Sequence, residues 1–211
     1  DMRQAICAAV LALCAWSASE AQPVDGNTAR NMLFAPKGFA VAIEEASGLD
    51  ARQIAYVRAL VDDPQFKRVA RYYGAMALSP TFFDRVLAGN AGPETLALVK
   101  FTDGYNNPEA AAAAAMGACR EALGPGDRPC VLAARILPRP CKPQPVSMSV
   151  FATAAFRGYR REKGPKAFAV SRGSKAYTMV AGEGARETAL TRCNAQAAAA
   201  GSPDCEILIV D

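Results

Sequence analysis

Five cysteines, two adjacent carboxylate pairs and one basic run are the residues of this chain whose types and spacing could do chemistry. Of the seven cysteines in the chain, Cys7 and Cys14 fall in the leading apolar run, and the five that follow it are Cys119, Cys130, Cys141, Cys193 and Cys205. Four of them fall into two similar phrases: "AAAAAMGACREALGPGDRPCVLAARILP" from Ala111 and "ARETALTRCNAQAAAAGSPDCEILIV" from Ala185. Each phrase runs alanine-rich stretch, cysteine, short polar stretch, cysteine, apolar stretch. In an oxidising compartment such cysteines read as a disulfide framework before they read as metal ligands. Five cysteines forming two bridges allow fifteen arrangements. Loop length and repetition favour Cys119–Cys130 and Cys193–Cys205. Cys141 is then the odd thiol, open to a reactive role, an intermolecular bridge or a shuffled pairing; Arg139 and Lys142 flank it.

The chain contains no histidine. This removes the Ser-His-Asp and Cys-His nucleophile systems and every histidine-ligated zinc site. A Ser-x-x-Lys pattern is absent, and "GEG" at Gly182 lacks the third glycine of a dinucleotide fingerprint. The sequence therefore offers no catalytic set, no metal set and no cofactor motif. Glu44-Glu45 and Asp62-Asp63 could supply carboxylates for acid–base work, but neighbours in sequence diverge, whereas glycoside hydrolysis needs two carboxyls converging on one bond. They read as solvated surface.

Between Arg139 and Lys175 nine Lys or Arg face one Glu, so this stretch carries +8 within a chain of net charge +4. Arg157, Arg160, Arg161, Lys163 and Lys166 form its centre and are candidate anion-binding residues, suited to an acidic envelope protein or an anionic envelope polymer. The alternative is a solvated helix face. Nucleic acid is not expected as a partner.

These residues need elements to position them. "MRQAICAAVLALCAWSASEA" has a basic start, a short apolar run and small residues at Ser19 and Ala21, the layout of a secretory signal peptide over residues 1–21. Leu13 before Cys14 and Ile6 before Cys7 disfavour a lipoprotein site. No later apolar run is long enough to span a bilayer, so the expected address of the mature chain is the periplasm or outside the cell. With 51% hydrophobic and 21% charged residues, the 211-residue chain has the composition of a globular protein.

Residues 22–71 read as a helical N-terminal region. Asp50 with Gln53 forms a capping box, Pro64 opens a second helix with Phe66 and Val69 on its inner side, and Met32–Ile43 fits either helix-turn-helix or an extended pair. Residues 72–138 read as a first α+β unit. "YYGAMALS" is a strand, a helix–turn insert follows, Thr95–Phe101 is a strand or helical turn, Asn107-Pro108 starts a helix, and Cys130 opens a strand. Residues 139–147, with three prolines and a fourth, Pro138, just ahead, form an extended linker. Residues 148–211 hold a helix with Phe151, Ala152, Ala155, Phe156 and Tyr159 on one face, then a second unit: two strands, a helix over about Ala185–Ala200 and the strand "CEILIV".

The pattern Tyr-Gly-Ala-x-Ala-x-Ser, alanine-rich helix, Cys, short loop, Cys, strand resembles a small secreted bacterial domain of unknown function, and tandem copies resemble exported alphaproteobacterial proteins. The resemblance covers roughly Tyr72–Cys141 and Lys166–Asp211. It implies export and an α+β fold, with no established activity. The expected fold is two small ββαβ-like units with a helical N-terminal region. The expected function is an exported, disulfide-stapled binding or interaction protein of the periplasm or cell envelope, and the residues point away from an enzyme. A carboxylate-dependent hydrolase of envelope polymers is the alternative.

Overall fold

"GAMAL" and "KAFAVS" alternate small and large apolar side chains, and each becomes the central strand of an antiparallel sheet. Such a pattern serves two faces at once, because successive side chains of a strand point to opposite sides. The computed structural model describes residues 22–36, 38–139 and 146–211. The expected signal peptide over residues 1–21, Cys141 and most of the expected proline-rich linker lie outside these described residues.

The elements in chain order are α1 (Gly26–Met32), β1 (Phe39–Ile43), a 3-10 turn (Glu45–Ser47), α2 (Ala51–Asp62), α3 (Pro64–Val69), β2 (Gly74–Leu78), α4 (Thr81–Leu87), α5 (Pro93–Leu96), β3 (Val99–Thr102) and α6 (Pro108–Glu121). They continue with β4 (Val131–Pro138), α7 (Val150–Tyr159), β5 (Lys166–Ser171), β6 (Tyr177–Ala181), α8 (Ala185–Ala198) and β7 (Cys205–Val210). The first sheet has the order β1-β4-β2-β3 and the second β6-β5-β7. The protein is thus α+β, with two antiparallel sheets packed with helices.

The two units match in detail. In both, the first strand lies between the second and the last, and a 14-residue helix precedes the last. Both central strands carry a bulge against the last strand at the same place, between Met76 and Ala77 and between Phe168 and Ala169. A fully buried serine closes each, Ser79 just after β2 and Ser171 as the last residue of β5. Ser79 Oγ donates to the Arg128 carbonyl at 2.7 Å, and Ser171 Oγ donates to Asp204 at 2.6 Å. Each serine therefore ties the central strand to the loop just before the second cysteine.

Ala75 and Ala77 face α6, whose Ala111, Ala115 and Cys119 recur every fourth residue and are all buried. Ala167 and Ala169 meet Ala185, Ala189 and Cys193 of α8 in the same way. The opposite strand faces carry the large side chains. Met76 and Leu78 join Val57, Val61, Phe82 and Phe83 from α2 and α4; Phe168 and Val170 join Ala152, Phe156 and Tyr159 of α7 and Ala29 of α1. Each central strand is thus covered on both sides. Small-on-small packing leaves no room for growth. Ala115→Leu and Ala189→Leu are each expected to cost about 2 kcal/mol, against less than about 0.5 kcal/mol for the exposed control Ala113→Leu, as measured by urea unfolding.

Two disulfides, Cys119–Cys130 and Cys193–Cys205, clip each helix to its following strand, with Cα atoms 6.1 Å and 6.0 Å apart. They suit an oxidising, extracytoplasmic compartment. No helix among the described residues is long and apolar enough to cross a membrane.

Local capping signals hold. Asp50 accepts from the Arg52 and Gln53 amides while Gln53 Oε1 accepts from the Asp50 amide. Asn107 Oδ1 accepts from the Ala110 amide, and Asp63 caps α3 ahead of Pro64. Longer-range expectations change. Met32–Ile43 is neither a helical hairpin nor a strand pair: α1 ends at Met32, and β1 pairs with β4 as the outer strand of the first sheet. Thr95–Phe101 divides between α5 and β3. Val69 is 60% exposed because α3 rests on Phe66 alone, and Phe151 is 50% exposed while Ala152, Phe156 and Tyr159 turn inward.

Candidate functional site

The two adjacent carboxylate pairs are occupied with structural work. Glu44 pairs with Arg135 at 2.6 Å, and Glu45 lies 3.8 Å from Arg58. Asp62 pairs with Lys67 at 2.7 Å, while Asp63 caps α3. None of these contacts brings two carboxyls to a common bond. No group of three or more Cys, Asp or Glu residues suited to a metal ion occurs among the described residues.

The junction between the units is polar and buried. The Asp103–Asn107 segment, between β3 and α6, reaches into the second unit. Asn106, 1% exposed, donates through Nδ2 toward the carbonyls of Ser171 at 3.0 Å, Ser174 at 3.2 Å and Ala176 at 2.9 Å. Its Oδ1 accepts from the Ser149 amide at 3.1 Å, and its carbonyl from Ser147 Oγ at 2.7 Å. Asn107 Nδ2 adds a bond to the Arg172 carbonyl at 2.6 Å. Gly104 has φ +70°, and a Cβ there would sit 2.8 Å from the Phe151 ring, so only glycine lets that ring close over the segment. Burial raises the phenols of Tyr72, Tyr73 and Tyr105 beside this junction, Tyr73 up to about 12. They are neutral at physiological pH. The junction holds the units together.

The basic run gathers at one end of the second unit. Ser149 Oγ caps α7 by accepting from the Ala152 amide at 3.1 Å, and the helix ends at Tyr159. Arg157 lies in its last turn, with Arg160, Arg161 and Lys163 just beyond, all exposed. Cations at this end complement the partial negative charge of the helix C-terminus. None of the four forms an ion pair among the described residues, although Glu162 stands between them in sequence. Lys166 is used differently. Its ammonium lies 3.6 Å from Asp211, 5.0 Å from the Tyr159 ring centre and 2.8 Å from the Glu162 carbonyl, so it closes β5 against the chain's end. Burial and the Asp211 charge raise the Tyr159 phenol. Four of the five candidate anion-binding residues therefore remain available, and the fifth is engaged internally.

Beside this cluster lies β6, which sequence reasoning did not single out. Gly158 of α7 is the contact point: a Cβ there would lie 3.2 Å from Met179 Cε. Met179, in the middle of β6, is 36% exposed. An edge strand with no charge and no proline is the signal in "YTMVA" that could have marked it.

No protein-family model, curated protein or solved structure matches the chain.

Proposed function

We propose that this is an exported interaction protein of the periplasm or cell envelope that binds an anionic partner through the basic end of α7. The observation that carries the reading is the concentration of Arg157, Arg160, Arg161 and Lys163 within seven residues, exposed and without carboxylate partners among the described residues. The engagement of Glu44, Glu45, Asp62 and Asp63 elsewhere favours binding over a carboxylate-dependent hydrolase. The matched ββαβ units and their disulfides support the reading as tandem copies of a small exported domain.

Binding through exposed cations weakens with salt, because the pairs are screened over about 10 Å at 0.1 M ionic strength. The test compares the protein with an Arg157→Gln/Arg160→Gln/Arg161→Gln variant whose melting curve shows it folded. Three probes are used: glutamate-rich peptides, purified peptidoglycan sacculi and lipopolysaccharide vesicles. The variant should bind at least one probe roughly tenfold more weakly, with a reduced salt dependence. Equal binding of variant and parent to all three probes would overturn the proposal.

A further inference from the structure

We infer that β6 is an acceptor edge for an extended acidic segment of a partner protein, which adds antiparallel as a fourth strand of the second sheet. The inference rests on the anionic-partner reading above and specifies its chemistry.

The register decides which groups of β6 are free. Val170 pairs with Tyr177 and Phe168 with Met179, and the Ser171 amide donates to the Ala176 carbonyl at 3.0 Å. Residues 176, 178 and 180 therefore exchange hydrogen bonds with β5, by the alternation of an antiparallel ladder. Tyr177, Met179 and Ala181 turn their backbone N–H and C=O groups away from it. Among the described residues no backbone or side-chain bond to these outward amides is present.

Two of the other three edges are covered. Val24 lies along β7, its amide donating to the Leu208 carbonyl at 3.1 Å while its carbonyl accepts from Val210 at 3.0 Å. β3 is half-buried throughout, with Phe101 under the Phe66 ring at 4.9 Å. β1, like β6, has neither charge nor proline and an unbroken register, but the cation opposite its Ala42, Arg135, is already paired with Glu44. β6 has none of the devices that blunt an edge: no charge, no proline and an unbroken register.

The two faces beside β6 define the side chains that fit. Met179 and Tyr177 point to the α7 side, where Gly158 touches Met179 and Arg157, Arg160 and Arg161 surround Gly158 in sequence. Val180 points to the α8 side and packs in the cluster that includes Leu190. An added strand about 4.8 Å away thus meets cations on one face and an apolar margin on the other. Acidic residues alternating with apolar ones satisfy both, with main-chain bonds supplying affinity and alternate side chains supplying selectivity. A second copy of this chain is disfavoured as occupant. Two-fold pairing of β6 with itself places both α7 helices on the same face of the joined sheet, bringing like charges together.

In an antiparallel pair, the residues bonded to Met179 carry side chains on its own face, so the acidic residues must supply the bonding amides. The probe is an octapeptide alternating glutamate and valine, tested on the exported protein by fluorescence anisotropy and amide hydrogen exchange. The Tyr177, Met179 and Ala181 amides should slow at least tenfold on binding. Methylating the glutamate amides should abolish binding, whereas methylating the valine amides should leave it within about twofold. A peptide that binds without protecting those amides, or in spite of glutamate N-methylation, would overturn strand addition and leave the anionic-partner reading intact. So would binding of sacculi or vesicles but not of the peptide. Protection that appears with protein concentration alone would assign the edge to a second copy and overturn the inference. If the Arg→Gln variant bound every probe like the parent, the anionic-partner reading would fail as well.

Discussion

Asn106→Asp is expected to destabilise the protein by about 3–5 kcal/mol at neutral pH, the penalty of an unpaired buried charge, out of a total that for a domain is about 5–15 kcal/mol. The two side chains have nearly the same shape, so packing is unchanged. What changes is the sign of one group. The Asn106 amide nitrogen donates among three carbonyl oxygens at 2.9–3.2 Å, and a carboxylate oxygen in its place can only accept. Burial and those carbonyls both disfavour the charged form, so the new carboxyl has a pKa raised above its unfolded value of about 3.9. A raised folded-state pKa means that stability is fully present below the unfolded pKa and is lost as pH rises through the folded one. Urea unfolding should find the variant less impaired near pH 4 than near pH 7.5, relative to the parent at each pH. A loss independent of pH, or below about 1 kcal/mol, would show that Asn106 is not the polar lock between the units.

Loss of either disulfide is the second large effect. Each closes a loop of about a dozen residues, and the chain-entropy estimate for such a loop is about 3 kcal/mol. Because separation, Cα distance and surroundings agree in the two units, Cys119→Ala/Cys130→Ala and Cys193→Ala/Cys205→Ala should cost similar amounts. Alanine is the replacement of choice, since Cys119 and Cys193 are fully buried and serine would bury a hydroxyl. Denaturant midpoints measure both variants. A loss confined to one would mean that the units differ in how much they depend on their clip.

The parts of this fold legible in the sequence are those governed by short-range chemistry. The Asp50–Gln53 box, the Asn107-Pro108 start and the alternation in "GAMAL" and "KAFAVS" each involve neighbours within a few residues. The cysteine pairs were legible because their loops are short and written twice. β1 was not, because "FAVAI" is satisfied only by β4, more than ninety residues later. Periodicity identified a helical face at Phe151 but could not say what covers it, and only the Asp103–Asn107 segment and β6 determine that.

At the candidate site the balance is similar. The run from Arg157 to Lys166 was visible as charge, yet its division was not, since Lys166 is claimed by Asp211 at the far end of the chain. The free amides of β6 were invisible for a related reason. Whether an edge is open depends on every other strand; the lack of charge and proline in "YTMVA" records only that nothing local blunts it.

Val24 alongside β7, with the Gly26 amide bonded to Asp211 at 2.8 Å, joins the segment ahead of α1 to the strand that follows α8. A ribosome delivers Val24 long before β7. Residues 24–26 therefore have no seat until β7 has been made, and the second sheet completes itself only when segments 185 residues apart in sequence are both present. Late closure of this kind leaves the earlier segment unpaired while everything between the two is being synthesised.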